Sequence, residues 1–212
     1  MTARIKTIVV GPLQTNCSII ADEETGQAAV VDPGDEAERI ARALARMGAS
    51  AVALLHTHAH FDHIMATAEL AGLTGAPIRL HSADRPLYDR LEEQAAFFGL
   101  RAAPPLPPGS PISDGEVIRF GSSSLLAIHT PGHTPGSTCF LLEEARPVLF
   151  SGDTLFRRSI GRTDLRGGDP EAILASIREK LFSLPGGTPV ICGHGPGTII
   201  EEERRLNPFA AL

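Results

Sequence analysis

Between residues 57 and 63 the chain reads Thr57-His58-Ala59-His60-Phe61-Asp62-His63. Few arrangements of a polypeptide tolerate three histidines and an aspartate so close together, because burying such groups without partners strips them of water at high cost. Presented together they are a set of metal donors: neutral imidazole is the commonest protein ligand, and a carboxylate adds a hard anionic one. With 8 histidines in 212 residues, this HxHxDH spacing arises by accident roughly six times in ten thousand. The segment follows the apolar run Val52 to Leu55 and precedes a helical pattern from Ile64 to Leu73. The predicted setting is a strand-to-helix loop, where a rigid scaffold presents functional groups.

Three other segments repeat one grammar: an apolar strand, a glycine that lets the backbone approach closely, then a ligand-type side chain. They are Thr130-Pro131-Gly132-His133-Thr134-Pro135-Gly136, Ser151-Gly152-Asp153-Thr154 and Cys192-Gly193-His194-Gly195. Each alone is weak, since a lone His or Asp at a strand end is commonly a turn residue. With His58, His60, Asp62 and His63 they bring the candidate ligands to seven, enough for two metal ions. His56 and His129 sit at strand ends beside these motifs, but strand alternation turns neighbours apart. His81 has no partner motif, and Cys192 reads as a small buried strand residue.

Around these segments, short β-branched runs predict about ten strands, from Ile5 to Val10 through Val190 to Cys192. Helices are expected over Asp35 to Met47, stopped by Gly48; over Ile64 to Leu73; over Asp84 to Phe98; and from the capping Asp169-Pro170-Glu171 to near Pro185. This pattern means α/β or α+β, with two sheets. Five prolines between Arg101 and Pro111 mark an extended connection between two halves of one domain. A net charge of −6 argues against a nucleic-acid surface. No apolar run approaches the roughly 20 residues of a membrane helix. Three scattered cysteines imply no disulfide framework, and the absence of a leader segment points to a cytoplasmic setting.

The order HxHxDH, TPGHTPG, SGD, GH resembles the metallo-β-lactamase superfamily, with Gly11-Pro12-Leu13-Gln14-Thr15-Asn16 and Val31-Asp32-Pro33-Gly34 adding to the match. The resemblance implies a single domain over residues 1–212, folded as an αββα four-layer sandwich of two mixed sheets flanked by helices. It implies one metal on His58, His60 and His133, a second on Asp62, His63 and His194, and Asp153 bridging both. Zinc is the first expectation, with iron or manganese as alternatives. Such a pair would acidify a water and polarise a carbonyl. Asp62 would act in catalysis by orienting the attacking water, and Asp32 would hold the loops behind the metals.

Within the superfamily the chain most resembles short bacterial glyoxalase II enzymes (hydroxyacylglutathione hydrolases), which implies hydrolysis of S-D-lactoylglutathione or a related small-molecule thioester. Arg162 fits the family's basic glutathione contact, but Asp164 stands where a tyrosine is usual, and His194-Gly195-Pro196 lacks a second tyrosine. Only 18 residues follow His194, so the C-terminal helical domain of longer glyoxalase II chains is expected to be missing. Gly161-Arg162-Thr163-Asp164 also resembles persulfide dioxygenases, which use a single iron. A lactone or other ester hydrolase of the same fold is a further alternative.

Overall fold

The computed structural model describes residues 3–211. In chain order it runs β1 (Ala3–Val10), β2 (Thr15–Asp22), β3 (Gln27–Val31), α1 (Ala37–Met47), β4 (Ser50–Leu55), α2 (Phe61–Ile64), α3 (Thr67–Thr74), β5 (Ile78–Arg79), a 3-10 turn (Ser82–Asp84), α4 (Arg85–Tyr88) and α5 (Leu91–Phe97). The second half holds β6 (Val117–Phe120), β7 (Ser123–His129), β8 (Thr138–Leu142), β9 (Val148–Gly152), the ribbon β10 (Leu155–Phe156) and β11 (Ser159–Ile160), and α6 (Pro170–Ala175). Helix α6 continues as a π-helical turn over Ser176–Leu181, followed by β12 (Pro189–Cys192), β13 (Thr198–Ile199) and α7 (Ile200–Leu206).

The first sheet has the order β1-β2-β3-β4-β5 and the second β13-β12-β9-β8-β7-β6. Both are mixed: β3, β4 and β5 run parallel, as do β9 and β12, whereas the remaining neighbours are antiparallel. The period-2 geometry of a strand sends alternate side chains to opposite faces. Ile20, Ala29, Val31, Ala53 and Leu55 therefore meet Leu125, Ala127, Phe140, Leu142 and Phe150 between the sheets. Their neighbours Cys17, Ile19, Val30 and Leu54 pack outward against Ile40, Leu44, Ile64 and Leu70 of α1, α2 and α3. On the far side Cys139, Leu141, Leu149 and Val190 pack against Ile173, Ile177, Leu181 and Ile200. Three apolar interfaces make four layers, helix–sheet–sheet–helix, as expected.

Local expectations hold where the chemistry is local. Gly48 caps α1 in the left-handed region, and the Asp169 carboxylate accepts from the amides of Glu171 and Ala172 with Pro170 opening α6. Three expected helices are more broken than periodicity suggests. The run from Ile64 divides into α2 and α3, that from Asp84 divides into a 3-10 turn, α4 and α5, and α6 is wound into a π turn. Among the described residues no helix is long and apolar enough to cross a membrane.

Candidate metal centre

Four strands deliver the candidate ligands, each from its C-terminal end. The loop after β4 carries His58, His60, Asp62 and His63; the turn after β7 carries His133; Asp153 follows β9 and His194 follows β12. Hydrogen bonds fix these ends together: Thr138 N donates to Thr57 O across the two sheets at 2.7 Å, and Gly193 N to Gly152 O within the second sheet at 2.7 Å. Glycine is required where loops touch. A Cβ on Gly193 would lie 2.0 Å from Asp153 Oδ1, and one on Gly34 would lie 1.8 Å from the Asp62 carbonyl.

All seven side chains converge. His60 Nδ1 lies 2.9 Å from His133 Nε2, which lies 3.3 Å from His58 Nε2. In a second group, His194 Nε2 stands 3.2 Å from Asp62 Oδ2 and 3.2 Å from His63 Nε2. Asp153 faces both, with Oδ1 3.4 Å from His63 Nε2 and Oδ2 3.7 Å from His133 Nε2 and 3.6 Å from His194 Nε2. His58, His60 and His133 form one set of donors within metal-ligating reach; His58, His63 and Asp153 another; Asp62, His63 and His194 a third.

The outer ring nitrogens decide what the inner ones offer. His133 Nδ1 donates to the Arg162 carbonyl at 2.7 Å, His194 Nδ1 to the Leu13 carbonyl at 2.9 Å, and His63 Nδ1 to Asp32 Oδ2 at 3.0 Å. Thr57 Oγ1 donates to Asp32 Oδ2 at 2.7 Å and so accepts from His58 Nδ1 at 3.1 Å. Each of these four rings thus has an oxygen partner for its Nδ1 proton and turns its Nε2 inward, where it can serve a cation. Lone pairs that face one another repel unless a cation sits between them. Asp153 Oδ1 is buried and has no hydrogen-bond partner, which is also what a carboxylate reserved for a cation looks like. The residues present fit divalent metal.

Charge balance points the same way. Burial pushes the His58 imidazole well below its usual range, aided by His63 and His133, and pushes His60 down to about 3. Burial opposes a charge on His63 too, but Asp62, Asp153 and Asp32 outweigh it and raise that ring to about 10. Asp62 also resists burial; His63 and His194 hold it ionised, well below the ordinary carboxylate range. The site therefore favours positive charge at the middle of its carboxylates, whether proton or metal ion.

The other histidines and the cysteine beside these motifs stay outside the donor groups. His56 is buried, its Nε2 3.3 Å from Thr67 Oγ1. His81 stacks instead on His129, with ring centroids 4.0 Å apart and planes 8° from parallel. Cys192 is buried, and burial pushes its thiol up to about 12. Arg162 reaches the site through its carbonyl on His133, whereas its exposed guanidinium forks onto Asp164 with two 2.7 Å bonds.

One residue escapes sequence reasoning. Asp84 reads as a helix start, yet its carboxylate caps nothing. It accepts from Ala59 N at 2.9 Å, Thr134 Oγ1 at 2.8 Å and Gly136 N at 2.6 Å. It thereby pins the loop carrying His58 and His60 to the turn carrying His133. No local signal marks it, because its partners lie 25 to 52 residues away.

Against known proteins, residues 10–194 match the family model of the Metallo-beta-lactamase superfamily. The hydroxyacylglutathione hydrolase GloC of Haemophilus influenzae is 40% identical over 97% of each chain. The mitochondrial persulfide dioxygenase ETHE1 of Mus musculus is 32% identical over 92% of this chain and 70% of its own. Among solved structures, BLEG-1 B3 metallo-beta-lactamase superposes with a TM-score of 0.90 at 38% identity, covering 98% of this chain and 99% of its own. TTHA1623 in a di-iron-bound form superposes at 0.88 and 41% identity, covering 96% and 99%.

Proposed function

The chain belongs to the metallo-beta-lactamase superfamily, and from that premise we propose that it is a metal-dependent thioester hydrolase acting on S-D-lactoylglutathione or related hydroxyacyl-glutathione thioesters. The observation that carries this reading is the set of inward Nε2 atoms on rings whose outer nitrogens are already tied to oxygen acceptors. His58, His60 and His133 would hold one divalent ion, Asp62, His63 and His194 a second, and Asp153 would serve both. Zinc is the first candidate and iron or manganese the next; the di-iron form of TTHA1623 supports iron. Bound there, the ions supply acidification of a water and polarisation of the thioester carbonyl.

The protein's own groups do the rest. Asp62 stays ionised, so its Oδ2 acts as an acceptor that orients the attacking water rather than as a store of protons. Asp32 receives Thr57 N at 2.8 Å together with Thr57 Oγ1 and His63 Nδ1, holding two ligand rings in one orientation. The Arg162 guanidinium is a contact for a substrate carboxylate once its fork to Asp164 opens. We place this activity in a single domain over residues 1–212 and in the cytoplasm; Cys17, Cys139 and Cys192, all buried and unpaired, suit a reducing compartment. Similarity to GloC over nearly the full length supports the glutathione thioester.

A second reading, a single-iron persulfide dioxygenase, is favoured by the ETHE1 similarity and by Gly161-Arg162-Thr163-Asp164. Turnover assays on metal-replete protein separate the two. Hydrolysis of S-D-lactoylglutathione without oxygen uptake is expected. Oxygen consumption with glutathione persulfide and no thioesterase activity would establish the dioxygenase, and turnover of a lactone alone would keep the hydrolase and remove glutathione. Arg162→Ala should raise KM for the glutathione thioester more than it lowers kcat, with metal content unchanged.

A further inference from the structure

Glutathione thioesters carry two free carboxylates, and the cationic residue expected to meet them is already engaged, because Arg162 forks onto Asp164. A different pair of guanidinium groups lines a cleft of about 260 Å³ formed where α4 and the start of α5 meet the turns after β7 and before α6. Arg90 and Arg166 share its lining with the apolar residues Pro86, Leu87 and Pro135. Among the described residues Arg90 has one loose side-chain partner, Glu93 at 3.7 Å, and both side chains are exposed. Arg166 is exposed and makes no hydrogen bond or ion pair among the described residues. Asp84 also borders the cleft, but it is buried and its carboxylate is spent on Ala59, Thr134 and Gly136.

The cleft is coupled to the metal centre by covalent proximity. Pro135 of its lining lies two residues beyond His133 in the same turn. Gln94 of α5 donates to the carbonyls of Ala59, between His58 and His60, and of Leu87, in the lining. Two guanidinium groups and an apolar lining suit an extended peptide with a terminal carboxylate, since a guanidinium fork matches a carboxylate bidentately and carbon atoms can lie on the prolines and leucine. We propose that the Arg90–Arg166 cleft is the carboxylate-binding subsite for the peptide-thiol half of the thioester substrate. The inference rests on the glutathione-thioester reading and adds to it which residues select the thiol.

The probe is S-methylglutathione, which is not cleaved, compared with its dimethyl ester, in which both carboxylates are masked. Binding to metal-loaded protein is followed by ligand-observed NMR. Wild-type protein should bind the acid about tenfold more tightly than the diester, as expected for a charge-assisted contact. Arg90→Ala/Arg166→Ala should lose most of that preference, the remainder falling to Arg162, with unchanged metal content, and Arg90→Lys/Arg166→Lys should recover part of it. A double-alanine variant that keeps the full preference, or wild-type protein that shows none, overturns the cleft. Turnover of S-D-lactoylglutathione by wild-type protein, measured alongside, is a separate arm. Preference for the acid without turnover removes the hydrolase reading and leaves the cleft, whereas turnover with the preference intact in the double variant does the reverse.

Discussion

The two halves of the chain build the candidate centre in different ways. The first half supplies four donors from a single loop, His58, His60, Asp62 and His63, whose relative positions are set by one strand end and one short helix. The second half supplies three, His133, Asp153 and His194, each from a different strand. Their relative positions exist only because β7, β9 and β12 lie in one sheet. The first set is a property of local sequence and the second a property of topology. The two are joined by two kinds of carboxylate. Asp153 faces both donor groups directly, and Asp84 sits behind them, reaching from the first half to Thr134 and Gly136 in the second.

If that contrast is right, the largest loss follows removal of the shared inner carboxylate. Asp153→Ala should strip both ions and reduce turnover by more than the roughly 10–100-fold typical of losing an outer-sphere partner. Metal analysis alongside a thioesterase assay reads it; loss of one ion alone would mean that the halves load independently. Next come the single terminal ligands. His133→Ala should lower metal occupancy by about one ion and His194→Ala by about one, from the first and second group respectively. The two variants should differ when reloaded with a spectroscopically visible metal such as cobalt. Identical residual spectra would mean that the two groups are not distinct.

Behind these lies the outer carboxylate. Asp84→Ala leaves the buried amides of Ala59 and Gly136 without an acceptor, at about 1–3 kcal/mol for each group left unsatisfied, while the Thr134 hydroxyl can turn to Ser137 Oγ at 2.8 Å. Metal affinity should weaken about 10–100-fold, with a lowered Tm. Asp84→Asn, which keeps one oxygen acceptor, should fall between that variant and wild type. Asp32→Ala should weaken metal binding comparably, but through the first half alone, because its partners there are Thr57 and His63. The smallest effect belongs to His81. Losing its stack on His129 should cost up to about 1 kcal/mol of stability and leave metal content untouched. Loss of metal from His81→Ala as severe as from His133→Ala would redraw the ligand set.

The same division between local sequence and topology decides what is legible in the amino-acid sequence. The HxHxDH loop, the Gly48 stop and the Asp169-Pro170 start depend on residues within a turn of one another, so composition and spacing carry them. The alternation that sends Ile19 outward and Ile20 between the sheets is local, but both faces of β2 are buried, so two adjacent isoleucines carry no sign of which faces which way. Asp32 stands out only as an Asp-Pro-Gly turn, and its second role on Thr57 and His63 needs the family resemblance. Asp84 is invisible because its function depends on where the chain returns. The short β10–β11 ribbon and β13 offer two residues each, too few for a periodic signal. Helix α7 is absent from the expected elements although a signal exists: Glu201, Glu202 and Glu203 in its first turn and Arg204 and Arg205 in its last fit the helix dipole. The fork between Arg162 and Asp164 follows from a spacing of two residues, but only the turn geometry brings their side chains together.

We propose that the two donor groups act as one dinuclear hydrolytic centre. Metal stoichiometry on active protein, purified without added metal and assayed on S-D-lactoylglutathione in the same preparation, tests it most directly. Two divalent ions per chain, with turnover rising in proportion to occupancy of both, is the predicted result. Full thioesterase activity with a single ion per chain, unchanged when a second is added, would contradict it.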